Sequence, residues 1–547
     1  MAGEPLEGPV LLEQAPPHGV PAPAARSERL ALRLLQLGAV AVVLAATTWK
    51  QFELDRFFVP KELVLHVTAL LVGVLLLGAF RRRIRLGAVD FLLLGFLLLG
   101  LVSGGFAQNP WVAARALAVT ASGFALYWSA RTLAAAGLER PLLAALALAV
   151  VLASGTALLQ AYGVQADLFS INRAPGGTFG NRNFIAHAAA FGLPVVLLGA
   201  LRARGAAACA FWSIGSGVVG VSLVLTRSRA GWLAVGAALA VLGLALFLAP
   251  ALRHHRRTWL RVGGILVVLS AGVAAALTVP NTLRWNSRNP YLDTVRGVTN
   301  FQEGSGRGRM VQYRRSASIA RDHPLLGAGP GNWAVVYADY AAPGDPSLDR
   351  SAAGMTSNPW PSSDWVAYVS ERGIVATLAL LVALLLVAVA ALRRTLRAAD
   401  PHDALAAAAQ LATLAAAVVA GLFDAVLLLA VPAFLVWTTI GALHASPTPT
   451  GPDARPRTGK SLALLVVSVL ALAGAVRSAG QLAAMPLYAS ERNTLLRLAA
   501  WVDPGNYRVH LRLARNGRGE QRCRHALAAR ELYPNAQAAR QLARRCD

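Results

Sequence analysis

Apolar side chains occur along the chain in blocks of about 17–25 residues, broken by short polar stretches. The blocks lie near 30–49, 62–80, 87–106, 112–130, 141–163, 184–201, 206–226, 231–250, 262–280, 372–392, 404–421, 424–443 and 461–480. A helix of that length matches the hydrocarbon thickness of a bilayer. The pattern predicts an all-α, polytopic integral membrane protein with about thirteen transmembrane helices. Two segments interrupt the rhythm. Residues 281–369 form a long polar insert between the ninth and tenth spans, and 481–547 form a basic, helix-rich tail. The insert carries Trp, Tyr and Phe among helical stretches, so a folded domain is expected there. The chain thus divides into a tail at 1–28, spans at 29–280, a large loop at 281–369, spans at 370–480 and a repeat-like tail at 481–547.

Charge sets the expected orientation. The loops at Arg81–Arg85, Arg131–Arg140, Arg202–Arg204, Arg253–Arg261, Arg393–Arg397 and Arg455–Lys460 hold about 18 Lys or Arg residues, and the intervening short loops hold about seven. By the positive-inside rule the rich loops face the cytoplasm. The N-terminus is then cytoplasmic, and the long loop and C-terminus lie on the outer side of the membrane. Of the 547 residues, 56% are hydrophobic and 14% charged, which excludes a disordered or collagen-like chain and a small disulfide scaffold. Much of the net charge of +25 is topological, so nucleic-acid binding is not expected. Residues 1–28 lack an apolar core and read as a cytoplasmic tail, with the first span inserting as a retained signal anchor.

In the tail, Val502-Asp503-Pro504-Gly505-Asn506 and Leu532-Tyr533-Pro534-Asn535-Ala536 are similar helix junctions, with prolines 30 residues apart. This is similar to a degenerate tetratricopeptide repeat, whose period is about 34 residues; an ordinary helical hairpin is the alternative. A repeat surface would bind a protein partner. If its helices are antiparallel, Cys523 and Cys546 meet near the Cα separation a disulfide needs.

Candidate chemistry gathers at the outer ends of the even-numbered spans, where helix N-termini offer free N–H groups and a positive dipole end. Gly176-Gly177-Thr178-Phe179-Gly180-Asn181-Arg182-Asn183 precedes the sixth span, with Asn183 placed to cap it. Thr226-Arg227-Ser228-Arg229 precedes the eighth, and Pro361-Ser362-Ser363-Asp364-Trp365 the tenth, with Glu371 two turns on. Within the insert, a helix opens at Arg307-Gly308-Arg309 and ends at His323, before Pro324 to Trp333. Simple capping, or arginines snorkelling to water, would explain each alone. Together, arginines at outward helix ends suit a lipid diphosphate, because guanidinium binds phosphate oxygens bidentately. His187 is expected to be a hydrogen-bonded helix histidine and His323 a helix C-cap. No His, Cys, Asp and Glu set has metal spacing, so neither metal nor other cofactor is expected.

The order of these motifs resembles the O-antigen ligase and O-antigen polymerase superfamily of membrane glycosyltransferases, especially long members with tetratricopeptide repeats. The pieces that carry it are Gly177–Phe184, Thr226–Leu233, Arg309 with Tyr313, Pro324–Trp333, Ser362–Gly373 and Leu422-Phe423-Asp424. The resemblance implies metal-independent transfer of a saccharide from undecaprenyl diphosphate to an acceptor hydroxyl at the periplasmic face, in lipopolysaccharide or other surface polysaccharide biosynthesis. The acceptor would be a glycan or a lipid. It implies Arg229 and Arg309 as the diphosphate ligands, with Arg227, Arg182 and Asn183 beside them. Two positions depart from the family. Arg182 stands where Asn-Pro-Asn is usual, and Ser362 stands where the ligases carry a histidine. A serine is no general base near neutral pH, so Asp364 or Glu371 becomes the expected acceptor-activating group. The alternatives are a diphosphate leaving group good enough to need little base assistance, or Asp364 as a helix cap and Glu371 paired with Arg372 or a neighbour. A different class, a non-enzymatic scaffold or transporter of the assembly machinery, would leave the cationic helix ends without a transfer to perform. Loss of long-chain polysaccharide on deletion separates the enzyme from the scaffold.

Overall fold

The structure is a computed structural model that describes residues 24–170, 173–297, 300, 302–444, 459–490 and 492–546. Most of the 1–28 tail, and Arg455 and Arg457 of the last basic loop, lie outside these residues. The described chain is helical, and its only β feature is an isolated antiparallel bridge between Leu348 and Thr356.

The first half contains α1 (Arg26–Leu44), α2 (Asp55–Arg83), α3 (Ala88–Gly105), α4 (Pro110–Ala135), α5 (Glu139–Ala161), α6 (Arg182–Leu201), α7 (Ala206–Thr226), α8 (Arg229–Leu248), the short α9 (Pro250–Arg253) and α10 (Arg256–Thr278). The long loop holds α11 (Pro290–Arg296), α12 (Gly304–Asp322) and α13 (Trp333–Tyr340). The bundle resumes with α14 (Asp364–Arg397), α15 (Pro401–Gly421), α16 (Ala430–Leu443) and α17 (Gly459–Ala489). The tail contains α18 (Asn493–Val502), α19 (Tyr507–Asn516), α20 (Gly519–Leu532) and α21 (Gln537–Ala543).

Every apolar block coincides with a helix. Ten described helices are long and apolar enough to cross a membrane, while α1, α4 and α16 fall short by length or apolarity. The protein is a polytopic, multi-pass membrane protein. Helix starts follow local chemistry: Asn109 accepts the Trp111 N–H ahead of Pro110, and Asp400 accepts the Asp403 N–H ahead of Pro401. In α6, 94% of the most apolar stretch is buried, against 11% in α10, so α6 is the central post and α10 faces outward. Leu260, Leu266, Val267 and Leu277 of α10 are exposed, as a lipid-facing surface requires.

The basic loops gather at one end of the bundle and are tied down by carboxylates. Arg83 pairs with Glu28 at 2.7 Å, Arg131 with Asp90 at 2.6 Å and Arg202 with Glu139 at 2.6 Å. Arg182 and Arg202 stand at opposite ends of α6, separated by about 30 Å of helix. The end that carries Arg182 also carries the long loop and the tail.

Two expected spans change shape there. The tenth starts earlier, at Asp364, and its helical backbone is broken at Gly373, where φ is +79°. The twelfth starts later: residues 422–429 are not helical, and α16 begins at Ala430. The tail forms consecutive antiparallel helices closed by a Cys523–Cys546 disulfide with a Cα separation of 5.3 Å. It is docked, not free. Asn109 Nδ2 donates to Leu532 O, Asn535 Nδ2 to Asp339 Oδ2 at 2.8 Å, and the Gln537 N–H to Ala353 O.

Candidate functional site

At the loop-bearing end, α6, α8, α12 and the segments before α14 and α16 enclose a cavity of about 470 Å³. Its lining includes Arg182, Asn183, Arg227, Arg229, Arg309, Ser362 and Asp424. All five binding residues expected from sequence are therefore brought together. Arg182 and Arg229 open α6 and α8, Arg227 caps the end of α7, and Arg309 lies in the second turn of α12. Asn181, not Asn183, caps α6: its side chain accepts the Asn183 N–H at 3.0 Å. This leaves the Asn183 side chain to the cavity. Ser228 caps α8 by accepting the Gly231 N–H, which sets Arg229 at the first helical position. Arg227 holds the left-handed turn between α7 and α8, with φ of +52°, and its Nε donates to Thr294 Oγ1 at 3.0 Å.

The arginines are not equivalent. Arg229 also ties down the long loop, donating to Gly297 O and, at 2.7 Å, to Ser305 Oγ. Arg309 is half-buried, and its buried Nε has no hydrogen-bond partner among the described residues. No carboxylate among the described residues lies within salt-bridge distance of Arg182, Arg227, Arg229 or Arg309. Arg229 and Arg309 instead feel one another's charge, as do Arg182 and Arg227. Unneutralised guanidinium groups around a concave space form an anion site.

The two expected catalytic carboxylates do not line this cavity. Asp364 is fully buried, and its oxygens accept the Val426 and Leu427 N–H groups at 2.9 Å each. Glu371 is 2% exposed, and its oxygens accept the Gly331 N–H at 2.8 Å and the Trp333 N–H at 3.2 Å. Both therefore anchor backbone segments. The alternative assignments also differ from what is observed. Ser363 is the cap of α14, and Arg372 turns away from Glu371, donating to Thr120 Oγ1 at 2.8 Å and stacking on Phe96.

Sequence reasoning passed over the carboxylate that does face the arginines. Asp424 is half-buried at the cavity, on the non-helical segment that Asp364 fixes. The signal was present in the Leu422-Phe423-Asp424 motif, at the start of the expected twelfth span, but no role was assigned to Asp424 there. Ser362 also faces the cavity, its N–H donating to Gln312 Oε1 at 2.6 Å. Tyr313 lies behind it, with the hydroxyl 2.8 Å from Ser362 O and 2.7 Å from Leu422 O. Burial pushes the Tyr313 phenol up to about 12, against the opposing pull of Arg309, so it stays a neutral donor. His187 is buried with both ring nitrogens unpartnered among the described residues, contrary to the expected hydrogen-bonded histidine. His323 does sit at the C-cap of α12.

The structure thus defines a multi-pass membrane protein with an arginine-lined cavity at one end of the bundle. Residues 214–378, from α7 through the long loop into α14, match the family model described as O-antigen ligase. The match supports the O-antigen ligase and polymerase superfamily and a glycan-processing membrane enzyme, and it covers Arg227, Arg229, Arg309 and Glu371. No curated protein matches the chain.

Proposed function

We propose that the protein transfers a saccharide from undecaprenyl diphosphate to an acceptor hydroxyl, at the periplasmic face of a bacterial inner membrane. The observation that carries this function is the convergence of Arg229, Arg309 and a single carboxylate, Asp424, on one cavity at a membrane-helix boundary. A lipid diphosphate fits there with its head group on the guanidinium groups and its chain beside the helices.

In this mechanism Asp424, not Asp364 or Glu371, takes the proton of the acceptor hydroxyl. The acceptor oxygen bonds to the anomeric carbon while the bond from that carbon to the diphosphate oxygen breaks. The electron pair leaves with the diphosphate. Arg229 and Arg309 stabilise the charge that grows on it, and fixed guanidinium groups do so more strongly in the transition state than in the ground state. Asp424 is suited to the base role because its carboxylate reaches the cavity, whereas the oxygens of Asp364 and Glu371 are occupied by backbone N–H groups.

The test is to incubate purified protein with a lipid diphosphate-linked oligosaccharide and resolve the products. Chains that lengthen on the lipid indicate a polymerase, and transfer to a second acceptor indicates a ligase. No release of lipid diphosphate with any acceptor overturns the assignment.

A further inference from the structure

The cavity holds more positive charge than a diphosphate requires. A diphosphate diester carries one charge per phosphate, which Arg229 and Arg309 match one to one. Arg182 and Arg227 remain in excess, and both also line a second, larger cavity of about 1240 Å³ beside the first. Arg173 is common to the two cavities as well, and Arg284 joins the lining of the larger one. Among the described residues its one lining carboxylate, Asp167, pairs with Lys50 at 2.8 Å.

This charge is held in place. The guanidinium groups of Arg182 and Arg227 lie over the Trp285 ring at 4.9 and 4.6 Å from its centroid. Two like charges stacked on one indole are costly unless an anion is expected between or beside them. The wall that closes the cavity is also built: buried Arg56 donates to Asp167 O at 3.0 Å and Phe169 O at 3.1 Å, fixing the loop after α5. The remaining lining includes the amides of Gln165 and Asn286 and the Phe169 ring, which suit sugar hydroxyls and ring faces.

We propose that this second cavity is a subsite for an acidic saccharide, so that the transferred glycan carries carboxylate, phosphate or sulfate groups near its lipid-linked end. The proposal rests on the donor site placed at Arg229 and Arg309 above. It adds the substrate class: Arg173, Arg182, Arg227 and Arg284 read charge on the sugar, not on the diphosphate.

The experiment uses the full-length protein in phosphatidylcholine nanodiscs and measures binding directly by calorimetry, with hexagalacturonate and maltohexaose as probes. Saturable binding of hexagalacturonate, at least tenfold tighter than maltohexaose, is expected. The double variant Arg173→Gln/Arg284→Gln should lose that preference by at least tenfold. Equal affinity for the two probes overturns the proposal, as does preference retained in the double variant, which would mean attraction to the chain's general positive charge. Nanodiscs containing phosphatidylglycerol separate the two sources of anion. If that lipid abolishes hexagalacturonate binding, the arginines serve lipid head groups and the proposal falls. A parallel transfer assay with acidic and neutral lipid-linked oligosaccharides distinguishes the two levels. Binding preference without transfer of either substrate leaves the subsite standing and removes the transferase function. Equal transfer of both keeps the transferase and removes the subsite.

Discussion

The Glu371 carboxylate accepts the Gly331 N–H at 2.8 Å beside the break in α14, joining the Pro324–Trp333 loop to the helix that Ser362 and Ser363 immediately precede. The same loop closes a backbone exchange there: the Gly329 N–H donates to Glu371 O and the Ile374 N–H to Pro324 O, both at 2.9 Å. A carboxylate accepts both amides, whereas a carboxamide sets an NH2 against one of them. Glu371→Gln should therefore cost about 1–3 kcal/mol. The expected outcome is a thermal unfolding midpoint several degrees lower in detergent, with activity falling in parallel. An unchanged midpoint with lost activity would instead make Glu371 the acceptor base.

Asp424→Asn should do the reverse. The side chain faces the cavity and, among the described residues, its one hydrogen bond is from the Ala425 N–H, which an amide oxygen preserves. Transfer should fall by about 100-fold or more while the unfolding midpoint stays within a degree or so. Activity against acceptor pH checks this, since the variant should regain rate as hydroxide rises.

Arg309→Ala should lower turnover about 100-fold, equivalent to about 3 kcal/mol of transition-state stabilisation, with expression unchanged. Arg309→Lys should recover little, because a lysine lacks the bidentate fork. Arg229→Ala should match this loss and also loosen the loop at Gly297 and Ser305, which limited proteolysis will report.

Gly373→Ala should prevent folding. The residue sits at φ of +79°, and a Cβ there would collide with Leu325 O of the loop that Glu371 clamps. Fluorescence-detected size exclusion of a tagged protein is the check; monodisperse Gly373→Ala protein would refute it.

The tail should weaken on reduction and in mild acid. The Cys523–Cys546 bridge spans 23 residues and should contribute about 3 kcal/mol to the tail. His510 and His525 face each other with Nδ1 atoms 3.1 Å apart, and burial depresses both below the ordinary imidazole range. Their folded values lie below the unfolded value of about 6.5, so the stability they contribute is present above that pH and is lost as pH falls through the folded values. Protease susceptibility of the tail should rise between about pH 7 and 5, and more steeply after reduction.

The sequence by itself determined the membrane class and the approximate place of the bundle helices, because a bilayer imposes one length and one composition on whatever crosses it; the starts of α14 and α16 were not among what it fixed. It also placed Arg182 and Arg229 at helix starts, which local chain geometry sets. It did not reveal how the carboxylates are engaged. Asp364 and Glu371 stood on the segment where a base was expected, and only tertiary contacts with residues 62 and 40 positions away in the chain turn their oxygens onto backbone N–H groups. Asp424 looked like part of a span, and it reaches the cavity because Asp364 holds residues 422–429 out of helical form. The lining that the two cationic cavities share was likewise beyond periodicity and spacing. It arises where Arg182 and Arg227, from separate stretches of chain, meet over Trp285 of a loop with no local signal for that encounter.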